Sequence, residues 1–109
     1  MRLKNSQVQS LIKAFEEVFK NHGLSLQQCA LYLYGSRAKD ELKGGDIDLL
    51  FRVPSLLLKD VNGLRIEFSL VMQKYLGEQK IDLLIINRKP PKDPFHHIAV
   101  DQSILLKEW

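Results

Sequence analysis

The chain has 109 residues, 45% hydrophobic and 27% charged, which fits one compact domain spanning residues 1–109 and excludes a disordered chain. Sixteen Lys and Arg against 13 Asp and Glu give a net charge of +3, a mildly basic balance that suits an anionic ligand and is met equally by a solvated mixed-charge surface. A single cysteine, Cys29, excludes an internal disulfide and a cysteine metal framework; with no run near the ~20 apolar residues of a membrane span and no signal-peptide layout at Met1, the expectation is a cytoplasmic protein that engages no membrane.

In chain order, Val8, Leu11, Ile12, Phe15, Val18 and Phe19 recur at helical spacing and predict a first amphipathic helix. Ser6 with Gln9 forms a capping-box pattern at its start, and Gly23 is a stop signal. The apolar run Cys29-Ala30-Leu31-Tyr32-Leu33-Tyr34, ending at Gly35, predicts a buried strand. Ser36 to Glu41 then reads as a short helical turn, and Lys43-Gly44-Gly45 as a loop with backbone freedom. Ile47 to Val53, closed by Pro54, predicts a second strand.

A second long helix is predicted from Leu57 or Asp60 to Tyr75, on the apolar stripe Val61, Leu64, Phe68, Val71, Met72 and Tyr75. Gly63 inside it costs roughly 1 kcal/mol relative to alanine, and Gly77 marks its end. Lys80 to Ile86 predicts a third strand. Pro90, Pro91 and Pro94 punctuate a loop, and Pro94 in a first helical turn predicts a last helix through about Leu106. The expected fold class is α/β (α+β), a small mixed sheet of three or four strands with helices packed on it.

The chemistry concentrates in Tyr34-Gly35-Ser36-Arg37-Ala38 and Gly44-Gly45-Asp46-Ile47-Asp48. Alternate residues of a strand share a face, so Asp46 and Asp48 project together, about 7 Å apart. Such carboxylates repel unless a cation lies between them, and Mg²⁺ is held by one or two carboxylates plus substrate phosphates. Gly35 permits a tight turn and close approach of a phosphate. Ser36 offers a hydroxyl and a backbone N–H at a possible helix start, and Arg37 adds positive charge. Asp82 sits in the apolar strand Lys80–Ile86, a costly position unless it is paired or bound to metal. Three carboxylates brought together would fit two metal ions acting on an attacking oxygen and a leaving pyrophosphate. Asp-x-Asp alone usually marks a strand edge or loop, and Gly-Ser alone is weaker still; the ordered combination carries the reading.

These residues resemble the minimal nucleotidyltransferases of the DNA polymerase β-like superfamily, above all the small stand-alone proteins paired with HEPN-domain partners. The likeness covers Leu31 to Phe51 and the surroundings of Asp82. The family signature of Gly-Ser, about ten residues, then Asp-x-Asp is met here by Gly35-Ser36, nine residues, and Asp46-Ile47-Asp48. Two departures are Asp40 where many relatives have glycine and Gly45 where many have serine before the first aspartate. The resemblance implies the polymerase β-like nucleotidyltransferase fold. It implies that Asp46 and Asp48 bind both magnesium ions, that Asp82 binds one of them and favours deprotonation of the attacking hydroxyl, and that Gly35 and Ser36, with Arg37 nearby, hold the triphosphate. The implied reaction is transfer of a nucleoside monophosphate, AMP from ATP, to a hydroxyl. In paired systems that hydroxyl belongs to a tyrosine of a HEPN toxin, which makes the small protein an antitoxin in a toxin-antitoxin system. The alternatives are an antitoxin that acts by contact alone and a nucleotidyltransferase acting on a small molecule or an RNA end.

Only 23 residues, Asn87 to Trp109, follow the third strand, too few for a separate acceptor-binding domain, so a partner is expected to supply the acceptor surface. Among the apolar groups there, Phe95, Ile104 and Leu105 are expected to pack on the domain's own sheet, and Trp109 is the better candidate for partner contact. Adjacent His96 and His97 would point about 100° apart on a helix and do not readily share a metal. Arg88, Lys89 and Lys92 read as a solvated basic loop, so nucleic acid is not favoured as a partner. Tyr34, beside the Gly-Ser turn, is in reach of a nucleotide.

Overall fold

The computed structural model describes residues 3–34, 47–77, 79–87 and 103–109. Helix α1 spans Asn5–Asn21, strand β1 Ala30–Tyr34 and strand β2 Ile47–Val53. A 3-10 turn at Ser55–Leu57 leads into α2 (Leu58–Asn62) and α3 (Arg65–Leu76), followed by β3 (Ile81–Asn87) and β4 (Ile104–Glu108). The sheet order is β3-β2-β1-β4. β1 pairs antiparallel with β2 and with β4, and β2 pairs parallel with β3. The expected small mixed α+β sheet is the one observed, with four strands. No helix among the described residues is long and apolar enough to cross a membrane.

The first helix is built as its periodicity predicts, burying Val8, Leu11, Ile12, Phe15, Val18 and Phe19 on one face. Its cap lies elsewhere than the Ser6–Gln9 pattern suggests. Lys4 is the N-cap residue, and its backbone N–H donates to Gln7 Oε1 at 2.9 Å. Ser6 is already inside the helix, where its carbonyl accepts from the Ser10 hydroxyl at 2.9 Å. At the other end Gly23, at φ 65°, takes the left-handed conformation that side chains resist. The N–H of Leu24 reaches back to the Phe19 carbonyl and that of Gly23 to the Lys20 carbonyl, a Schellman closure.

The predicted second long helix is two helices. The backbone tightens at Gly63 and Leu64, where Leu64 N–H bonds to the Val61 carbonyl, and helical pairing resumes with Phe68 N–H on Leu64. The apolar stripe spans this break. Val61, Phe68 and Met72 are buried, and Leu64 and Val71 pack beside them. Tyr75 lies partly exposed at the end of the stripe, its hydroxyl donating to Glu17 Oε1 at 2.6 Å.

The last predicted helix is corrected over its C-terminal part. Residues 94–100 lie outside the described residues, but Ile104, Leu105 and Leu106 are strand, pairing with β1 through Leu33–Ile104 and Tyr32–Leu105. The free edge of β1 needs backbone partners, and this demand outweighs a helical start signal ten residues upstream. Trp109 is corrected as well. It closes the strand end, donating its backbone N–H to Cys29 and accepting from Gln28, and its ring stands edge-on to Phe51 at 6.3 Å. The Trp109 indole N–H donates to Glu16 at 3.3 Å. The exposed apolar group of β4 is Leu105, at 48% exposure, so the two residues exchange the roles expected of them.

Both long helices cover one sheet face. Phe15, Phe19, Phe51 and Phe68 meet there with ring centroids between 4.5 and 6.2 Å apart. Phe51 touches the rings from α1 and α3 and from Trp109, so it links the sheet to everything above it. Phe51→Ala is expected to destabilise the domain by about 3–5 kcal/mol, the cost of truncating a fully buried aromatic. Ile66→Ala, at a 78% exposed position, should change stability by under ~0.5 kcal/mol. Urea unfolding of both variants checks the contrast.

Candidate active site

Strand alternation decides which side chains face away from the helices. Ile47, Leu49, Phe51 and Val53 of β2 belong to the helix-side core, so Asp48 projects from the opposite face. Leu31 and Leu33 of β1 are in the same core, which turns Tyr34 to Asp48's side. In β3, Ile81, Leu83 and Ile85 pack toward the helices, and Asp82 projects the other way.

The register aligns these three residues. Tyr34 is the antiparallel partner of Asp48, and Asp48 is the parallel partner of Asp82. They form one rank across β1, β2 and β3 on a single face. The rank lies at the C-terminal end of β1 and near the N-terminal ends of β2 and β3. Asp48 is half-buried and Asp82 exposed. Neighbouring strands lie about 4.7–4.9 Å apart, so the two like-charged side chains stand side by side on this face.

Tyr34 senses that charge. Burial first, then the Asp48 carboxylate, then that of Asp82, hold its phenol above the usual tyrosine pKa. Neither carboxylate is next to Tyr34 in sequence; the fold delivers both. From the sequence, Tyr34 stands beside the Gly-Ser turn and in reach of a nucleotide, with no link to the aspartates. The cue for its place in the rank is that an antiparallel β1–β2 pair sets the last residue of one strand against the second residue of the other.

Gly35, Ser36, Arg37 and Asp46 lie outside the described residues. Among the described residues no group of three or more His, Cys, Asp or Glu side chains could hold a metal; Asp48 and Asp82 supply two. Their donor set is hard carboxylate oxygen, which fits Mg²⁺ and leaves the remaining positions to water and phosphate oxygen. A cavity of about 320 Å³ at the opposite end of the sheet is lined by residues including Gln28, Tyr32, Arg52 and Glu108. Its lining holds a single acidic side chain, Glu108, rather than a facing pair.

No protein-family model matches the chain, and no curated protein matches it. Among solved structures, a protein from Sulfolobus solfataricus, provisionally described as a nucleotidyltransferase and determined at 1.40 Å, is similar with a TM-score of 0.49 and 20% identity. The match covers 99% of this chain and 92% of that one. A likeness of this degree carries no argument about function, which rests on the residues themselves.

Asp48 and Asp82 place like charges directly opposite each other across β2 and β3. Asp82→Asn should therefore stabilise the metal-free protein by roughly 0.2–1 kcal/mol, the range of cross-strand pair effects. The gain should shrink as salt screens the pair. Thermal unfolding at low and high ionic strength, without divalent ions, checks this.

Proposed function

We propose that the chain is a magnesium-dependent nucleotidyltransferase of the polymerase β-like kind. The observation that carries the reading is the in-register pairing of Asp48 with Asp82, beside a strand that runs directly into Gly35-Ser36. A mixed sheet with β2 antiparallel to β1 and parallel to β3 supports it, because this arrangement lets residues from three separate segments act at one sheet end.

In this proposal Asp46, Asp48 and Asp82 hold two magnesium ions, and Gly35 and Ser36 receive the triphosphate, with Arg37 adding positive charge. Bound magnesium supplies neutralisation of the phosphate charge and a lowered barrier to hydroxyl deprotonation. The acceptor hydroxyl oxygen attacks the α-phosphorus of ATP in line. The bond from that phosphorus to the bridging oxygen of the β-phosphate breaks, pyrophosphate leaves, and the hydroxyl proton passes to solvent water, a loss that Asp82 favours. Most of the rate then comes from positioning and electrostatics rather than from a covalent intermediate.

For the acceptor, the proposal is a tyrosine of a HEPN-domain toxin, so that AMPylation makes this protein an antitoxin. Its support is the sequence resemblance together with exposed apolar side chains available to a partner, Leu56 at 92%, Ile66 at 78% and Leu70 at 62%.

The test is transfer of α-labelled nucleotides. Wild-type protein is incubated with Mg²⁺, each labelled triphosphate in turn, and either a HEPN-domain protein or RNA. The proposal predicts label from ATP on a tyrosine of the protein acceptor, and a loss on the order of 100-fold or more in Asp48→Asn, as when a main charge-stabilising group is removed. Label on RNA ends instead would replace the toxin acceptor with a nucleic acid. No transfer to any acceptor, with the HEPN protein still neutralised, would leave an antitoxin that works by contact alone.

A further inference from the structure

We propose that Tyr34 is a substrate-binding residue of this same site, its phenol hydroxyl donating a hydrogen bond to the phosphate chain of the bound nucleoside triphosphate. The inference rests on the nucleotidyltransferase reading and adds to it a residue that the three-aspartate signature does not include.

Three observations lead to it. Tyr34 stands in the same rank as Asp48 and Asp82 and on the same face, on the side of Asp48 away from Asp82. Tyr34 is followed in sequence by Gly35-Ser36, the segment proposed to receive the triphosphate. The side chain is half-buried, yet among the described residues nothing accepts its hydroxyl proton. A half-buried hydroxyl with no acceptor among the described residues, beside two carboxylates proposed to hold magnesium, has an evident acceptor in a phosphate oxygen of the metal-bound ligand.

Length fits as well. A tyrosine side chain reaches farther from the sheet than an aspartate on the neighbouring strand. Its hydroxyl can therefore stand level with a ligand resting on the carboxylates rather than with the carboxylates themselves. Asp82 flanks Asp48 on one side and Tyr34 flanks it on the other. On β4, Tyr34 has no partner in the register, because pairing with β1 begins at Leu33 with Ile104; the rank ends at Tyr34.

The experiment is calorimetric titration with Mg²⁺-ATP and, separately, with adenosine, on wild type, Tyr34→Phe and Tyr34→Leu. Thermal unfolding of each establishes that it is folded. Phenylalanine keeps the ring and removes only the hydroxyl. The expected result is triphosphate binding weakened roughly 10-fold in Tyr34→Phe, the size of one hydrogen bond to a charged oxygen, with adenosine binding and thermal stability unchanged. Triphosphate binding within twofold of wild type in folded Tyr34→Phe would overturn the proposal. Loss only in Tyr34→Leu would do the same, since it would assign Tyr34 to packing. Failure of wild type itself to bind Mg²⁺-ATP would bring down the nucleotidyltransferase reading, an outcome visible before any variant is compared.

Discussion

Asp48 and Asp82 stand directly opposite each other on neighbouring strands, a like-charge pairing that a bound cation would relieve. Asp48 and Asp82 are in this position because β2 and β3 run parallel with matched starts. A slip of one residue in either strand would turn one aspartate into the helix-side core, where a lone carboxylate is far more costly than a solvated pair. The register is protected by the apolar residues between the aspartates' positions: Ile47, Leu49, Phe51 and Val53 on β2, with Ile81, Leu83 and Ile85 on β3, all face the helices. Hydrophobic alternation and the placement of the charged pair are thus one constraint read from two faces of a sheet.

The remaining structure serves that register. The four phenylalanines pin α1 and α3 to β2 through Phe51. Arg65, at the start of α3, donates to the Leu83 carbonyl at 2.6 Å and ties that helix to β3 one residue beyond Asp82. On the far side, β4 closes the open edge of β1 and ends in Trp109, whose ring returns to Phe51. Lys74 and Tyr75 meet Glu17 between α3 and α1, an exposed cluster that the Tyr75 hydroxyl and then the Lys74 ammonium hold together, keeping Glu17 below the usual carboxylate pKa. That cluster orients the helices while leaving the aspartate face untouched.

Much of this was legible in the sequence where a local pattern and the tertiary demand agree. The α1 stripe from Val8 to Phe19, the strand Ile47–Val53 with its Asp48, and the strand around Asp82 are periodic over enough residues to read directly. The misreadings fall where a local signal was weak or the deciding partner lay far away. The helix is interrupted at Gly63 and Leu64 because the backbone tightens there, with Leu64 N–H bonding three residues back to Val61, and an apolar stripe can span such a break. Ile104 to Leu106 became a strand because β1 lacked a partner on that edge, a fact absent from the C-terminal residues themselves. Trp109 was assigned outward and packs inward for the same reason. Of the site, Asp48 and Asp82 could be named from chemistry, but their alignment, and the place of Tyr34 beside them, depend on register and strand direction. Gly35, Ser36, Arg37 and Asp46 remain sequence readings.

The central claim is that the aspartate face recruits a magnesium-bound triphosphate. Calorimetric titration of wild-type protein with ATP, with and without Mg²⁺, against folded Asp46→Asn/Asp48→Asn protein, tests it most directly. Binding that requires Mg²⁺ and is lost in the double variant is the expected result. Binding that is equal with and without the cation, or equal in the two proteins, would contradict it.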